Sequence, residues 1–197
     1  MAVAVARLER QPPVNEFRAG AFVAADIDSQ LLSLKVFPDR TPPDVFWYQR
    51  EFRYSLTYQK GEAPLIFVIA GTGIAFYSSS MIFFQKIFYE AGFHVICLSS
   101  PTNMNFIVTA ATTSVPGDTV DDAQDLYRLM TLAWEQVKGR IKVSEFYLTG
   151  YSLGASQSAF VAKIVGWIIR SMTARCSISF ECGSVSRGCN FDQLNNS

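Results

Sequence analysis

The residues with the clearest chemical capacity are Gly150-Tyr151-Ser152-Leu153-Gly154, a serine flanked by two glycines. A serine presented on a tight turn between a strand and a helix is placed for nucleophilic catalysis, and the flanking glycines let the backbones entering and leaving the turn pass closely. The context fits on both sides: Phe146-Tyr147-Leu148-Thr149 reads as a strand, and Leu153-Gly154-Ala155-Ser156-Gln157-Ser158-Ala159-Phe160 as a helix whose small residues face a sheet. Ser152 is therefore the expected nucleophile, with Gly150 and Gly154 as the elbow glycines. A second glycine turn, Gly71-Thr72-Gly73, follows an apolar strand. No Gly-x-x-x-x-Gly-Lys-Ser/Thr loop occurs, nor the lysine-strand and catalytic-loop motifs of a protein kinase, so a phosphate-cradling role for this turn is not supported. A serine hydroxyl needs a base, and the chain's only histidine is His94. It precedes Ser152 and opens its strand, whereas catalytic groups gather at the carboxyl ends of such strands, so His94 reads as structural.

The elements that must position these residues follow from hydrophobic periodicity. Residues 1–28, with Pro12, Pro13 and Gly20, read as a loosely ordered lead-in. Leu32, Leu34 and Val36 alternate with polar residues as in a strand that ends at Pro38. Phe46, Tyr48, Phe52, Tyr54, Leu56 and Tyr58 repeat the alternation, which predicts antiparallel strands with one buried aromatic face rather than a base-stacking platform. Leu65 to Ala70 and Phe93 to Leu98 are continuous apolar runs, the signature of strands buried on both faces of a parallel sheet. Ser80 to Ala91 reads as a helix closed by Gly92. A Ser, Thr, Asn and Pro-rich loop over 99–117 is long enough to line a site. Thr119 and Asp122 then form a capping-box-like pair that starts a helix running to Lys138-Gly139-Arg140. Strand, helix, strand, helix, strand, turn and helix in that order predict an α/β protein with a mixed, mostly parallel sheet flanked by helices.

Composition narrows the partners. Of 197 residues, 49% are hydrophobic and 17% charged, a globular composition, and 17 basic residues balance 17 acidic ones. No net field favours nucleic acid or an anionic surface. The stretch Met81 to Leu98 is interrupted by Gln85, Lys86, Glu90, Gly92 and His94, so no membrane span is expected. The apolar start before Arg7 is too short for a secretory signal, which makes a cytoplasmic location the default expectation. Cys97 stands alone, and the gaps between Cys176, Cys182 and Cys189 do not match zinc-site spacing, so free thiols are expected, with no metal and no cofactor.

Through Gly150-Tyr151-Ser152-Leu153-Gly154-Ala155 and Val68-Ile69-Ala70-Gly71-Thr72-Gly73, over about residues 30 to 163, the chain resembles the α/β-hydrolase superfamily, in particular bacterial-type serine hydrolases. Ala70 stands where many relatives carry His. The resemblance implies an α/β-hydrolase fold in which Ser152 attacks the carbonyl carbon of an ester or thioester and passes through an acyl-enzyme. It also implies an oxyanion hole made by the backbone N–H of Leu153 and by one from the loop after the first central strand, where Thr72 and Gly73 are alternatives. The partner would be a small-molecule acyl substrate, with Phe106, Ile107 and Val108 pointing to an apolar acyl group. The family's triad runs Ser, acid, His, and no His follows Ser152; Glu181 and Asp192 are not assigned as the acid.

The expectation is thus a partial hydrolase domain over 29–163 with its C-terminal part missing, and an atypical tail over 164–197 that a frameshift from about residue 164 would explain. Such a chain would be poorly soluble and nearly inactive, because an apolar sheet edge lacks cover and the serine lacks a base. A non-catalytic binding protein of the same fold, using a pocket under residues 99–117, is the alternative reading, and a fragment without function of its own a third.

Overall fold

A computed structural model describes residues 3–5, 27–46 and 48–168. Within them a single six-stranded sheet is formed by β1 (Val3–Val5), β2 (Gln30–Leu34), β3 (Phe52–Thr57), β4 (Ala63–Ile69), β5 (His94–Leu98) and β6 (Val143–Tyr151) in the order β1-β6-β4-β5-β3-β2. The pairs β4 with β5 and β4 with β6 are parallel, while β1 with β6, β3 with β5 and β2 with β3 are antiparallel. Four strands, β2, β4, β5 and β6, therefore run in one direction, and the protein is an α/β protein with a mixed, mostly parallel sheet. The helices are α1 (Ser79–Glu90), α2 (Met104–Thr109), α3 (Thr119–Val137) and α4 (Leu153–Ile168).

The sheet is covered on both faces. Alternate residues of a strand face opposite ways, and in β6 the ring of Phe146 meets Trp134 of α3 at 5.0 Å while that of Tyr151, five positions on and of opposite parity, meets Phe84 of α1 at 5.9 Å. Thus α1 lies on one face and α3, which packs against α4, on the other. The continuous apolar runs have their expected place: all of β5 is buried, and β4 is buried apart from a half-exposed Pro64. In β3 the aromatic stripe is buried at Phe52, Tyr54 and Leu56, but it does not extend backwards, since Asp44–Phe46 is a single 3-10 turn and Tyr48 is exposed.

Helix ends follow local chemistry. Ser78 caps α1 by accepting from Met81 N–H, and Gly92 closes it at φ 92°. The start of α3 is shifted by one residue from the expected pair: Asp118, not Thr119, is the cap and accepts from Val120 and Asp121 N–H, while Asp122 reaches back to Gly117 N–H. A carboxylate accepts more strongly than a hydroxyl and suits the positive helix end, so Asp118 wins the position. The boundary expected at residue 163 falls within α4, and the tail beyond 168, with Cys176, Cys182, Glu181, Cys189 and Asp192, lies outside the described residues. Within the expected lead-in, Val3–Val5 pair with Thr149–Tyr151 along the outer edge of β6. Among the described residues no helix is long and apolar enough to cross a membrane.

Candidate active site

Ser152 stands between the last residue of β6 and the first of α4, at the carboxyl end of the parallel strands, and its side chain is exposed. Its φ is 55°, in the left-handed region that a β-carbon disfavours. Direct backbone contact holds it there. A β-carbon on Gly150 would lie 2.1 Å from Gly154 O, and one on Gly154 would lie 2.2 Å from Ile69 O and 2.7 Å from Ala70 O. The first turn of α4 therefore rests on the end of β4 with no side chain between them. Gly71, the first residue after Ala70, is also tight, though less so: its added β-carbon would meet the Tyr151 ring at 2.9 Å and Ser152 Cβ at 3.2 Å.

The turn 71–74 is thereby pressed against the serine. Ile74 N–H donates to Gly71 O at 2.9 Å, and Gly73 has φ 69°, so Gly71-Thr72-Gly73-Ile74 is a four-residue turn with glycine at the third position, where the type II geometry requires a positive φ. Within it the two alternative donors differ. Gly73 N–H donates to Thr102 Oγ1 at 2.7 Å, so it is already occupied. Thr72 N–H meets no acceptor among the described residues, and neither does Leu153 N–H, one of the opening N–H groups that a helix leaves unpaired. The resemblance puts Thr72 at the family position with Gly73 a close alternative; the competing acceptor, Thr102, comes from the connection after β5 and gives no signal in the local pattern.

His94 is far from this end. It pairs with Leu65 at the start of β4, four residues before Ile69, so roughly 13 Å of strand separate it from the serine's end of the sheet. It is fully buried, with Nδ1 accepting from Gln59 N–H at 3.0 Å and Nε2 facing Lys142 O at 2.9 Å. An acceptor at Nδ1 places the ring proton on Nε2, where it is donated to the carbonyl. Burial lowers the pKa of the ring, opposed by the bond to Lys142 O. Both nitrogens are engaged in joining the β3–β4 turn to the entry of β6, and neither is available to Ser152.

The loop over 99–117 is more structured than expected. It contains α2, whose cap Asn103 accepts from Asn105 N–H. Phe106 and Val108 do not line an acyl pocket: Phe106 is fully buried edge-on to Phe52 at 5.8 Å, and Val108 is 8% exposed. Two residues apart on α2, they point to different sides of it, and both are buried because the short helix, with Asn105 and Thr109 buried as well, is enclosed on more than one side. Asp125 of α3 accepts from Thr112 N–H at 2.6 Å and pairs with Arg128, while Arg40 donates to Ala111 O at 2.6 Å, so the second half of the loop is tied to α3 and to the β2–β3 connection. The cleft between these segments, lined by Val36, Phe37, Arg40, Gln49, Val108 and Thr109, has room for about one water.

No protein-family model matches the chain, and no curated protein matches it significantly. Among solved structures it is similar to the crystal structure of a dienelactone hydrolase from Anabaena variabilis ATCC 29413, with 14% sequence identity and a TM-score of 0.49 over 71% of this chain and 59% of that one. The chain thus spans about six-tenths of that protein's length. What Ser152 can do follows from its own surroundings rather than from that likeness.

Proposed function

We propose that this chain is a serine hydrolase of the α/β-hydrolase type, in which Ser152 attacks the carbonyl carbon of a carboxylic ester or thioester and is acylated. The observation that carries the reading is the φ of 55° at Ser152, a strained, exposed serine fixed between two glycines that backbone contact makes obligatory. Leu153 N–H and Thr72 N–H are the donors to the tetrahedral oxyanion; Gly73 is left out because its N–H is taken. The connections 71–78 and 99–117 contain no Asp, Glu, Lys, Arg or His. These two connections therefore offer no ion-pair partner to a charged substituent, and the reading is of a small-molecule acyl substrate. With both nitrogens of the only histidine engaged elsewhere, His94 gives Ser152 no base, which slows acylation and deacylation alike; an activated aryl ester still favours acylation, because its phenolate leaves far more readily than the serine oxygen that deacylation must expel.

Mixing the chain with p-nitrophenyl acetate tests this. The expected result is release of p-nitrophenolate in a burst of about one equivalent, with acetyl on Ser152 by peptide mass mapping and little steady-state turnover after it. Equal release by the chain and its Ser152→Ala variant would overturn the reading. Saturable binding of neutral esters without acylation would favour the second reading, a non-catalytic binding protein, for which the engagement of His94 away from Ser152 speaks.

A further inference from the structure

The turn beside Ser152 is held almost wholly from the connection after β5. Gly73 has both its polar backbone groups engaged by neighbouring side chains of that connection: its N–H donates to Thr102 Oγ1 at 2.7 Å and its carbonyl accepts from Asn103 Nδ2 at 3.0 Å. Ser100 N–H donates to Ile74 O at 3.0 Å, and Phe76 N–H donates to Ser99 Oγ at 3.1 Å. Thr102 is itself set in place, since its N–H donates to Ser100 Oγ and the two hydroxyl oxygens lie 2.9 Å apart. Asn103 uses its other side-chain atom, Oδ1, to cap α2.

This arrangement matters because Thr72 is placed by the residues on either side of it: Gly71 is pressed against Ser152, and Gly73 is tied to the connection after β5. A shift of Gly73 out of its φ of 69°, which only glycine adopts freely, would carry the adjoining Thr72 with it. Thr102 opposes it by accepting from Gly73 N–H, and Asn103 opposes it by holding the next carbonyl. Neither side chain hydrogen-bonds to Ser152.

We infer that Thr102 and Asn103 are positioning residues that hold the turn 71–74, and Thr72 with it, in place against Ser152. The inference rests on the acylation of Ser152 proposed above and specifies how its anion site is kept in shape. In the step concerned, a bond forms between Ser152 Oγ and the acetyl carbon, the bond from that carbon to the aryl oxygen breaks, p-nitrophenolate leaves, and the hydroxyl proton goes to solvent.

The test is single-turnover acylation of the full chain by p-nitrophenyl acetate at mildly alkaline pH, read as the limiting rate and the half-saturating ester concentration. Thr102→Val is expected to lower the limiting rate by about tenfold or more with little change in half-saturation, because misplacing a preorganised donor affects the transition state more than ester binding. Thr102→Ser, which keeps the acceptor, should restore the rate to within about threefold, and Asn103→Asp, which keeps the α2 cap but loses the donor to Gly73 O, should lower it as Thr102→Val does. Thermal unfolding of each variant accompanies the kinetics, and where Thr102→Val fails to fold, Thr102→Ser and Asn103→Asp decide. Wild-type rates in Thr102→Val or Asn103→Asp, or failure of Thr102→Ser to restore the rate, would overturn the inference while leaving Ser152 as the nucleophile. Acylation no faster in the wild type than in Ser152→Ala would remove both.

Discussion

At Ser152 a non-glycine residue is held at φ 55°. Left-handed geometry costs an L-residue about 1–2 kcal/mol, a strain that persists only when the surroundings enforce it. Here they do, because Gly150, Gly154 and Gly71 bring three backbone segments into contact around it. Replacing Ser152 by glycine relieves the strain without disturbing those contacts. Ser152→Gly should therefore raise the unfolding free energy in urea by about 1 kcal/mol, while Ser152→Ala leaves it nearly unchanged. If Ser152→Gly were less stable than Ser152→Ala, the strain would not be real.

Among the elements, α4 carries the site because nothing but backbone separates it from β4. Its two described glycines have opposite roles. A methyl group on Gly154 would meet Ile69 O at 2.2 Å, whereas one on Gly166 would meet nothing within 4 Å. Gly154→Ala should consequently destabilise the protein by about 3 kcal/mol or more, since main chain cannot yield as a side chain does. Gly166→Ala, exposed in the same helix, should stabilise it by about 0.5–1 kcal/mol through the lower backbone entropy of alanine. Paired urea titrations of the two variants check the contrast, and similar shifts for both would contradict the close approach of α4 to β4.

Across the whole molecule, the two ends of the sheet are held by different chemistry. The turn beside Ser152 is tied by neutral hydroxyl, amide and backbone groups, and the opposite end of the sheet by a buried imidazole linking Gln59, His94 and Lys142. That second tie is sensitive to pH. The folded protein holds His94 with a lowered pKa, chiefly through burial, so the unfolded chain binds a proton more readily. The stability it contributes is complete above the unfolded histidine pKa of about 6.5 and is lost as pH falls from there through the folded value. Asp122, whose pKa burial and the neighbouring Asp125, Asp118 and Asp121 raise, acts in the opposite sense: folding is favoured as it takes up its proton on acidification. The difference between wild type and His94→Gln isolates the imidazole. Unfolding free energies of the two should converge as pH falls below about 6.5. Parallel curves would mean that His94 is not buried neutral. Any Ser152-dependent acylation should survive His94→Gln in protein that remains folded, because the ring lies at the far end of the sheet.

By itself the sequence determined the features that rest on local pattern. Uninterrupted apolar runs at 65–70 and 93–98, each followed by turn residues, read as strands covered on both sides, and a serine between glycines, after a strand and before a run of small residues, reads as a sharp turn. Those features locate Ser152 and the α/β architecture without knowledge of any contact. Tertiary structure alone decided what depends on groups distant in the chain. Gly73 was not separable from Thr72 until Thr102, 29 positions later, was seen to occupy its N–H. Phe106 looked available to a substrate until α2 turned it against Phe52, 54 positions earlier, and the pairing of Val3–Val5 with β6 joins segments more than 140 residues apart. Local pattern reports which way a backbone can run and which face it buries; a hydrogen-bond donor or an aromatic ring is committed only when a partner from elsewhere arrives, and no window along the chain contains that partner.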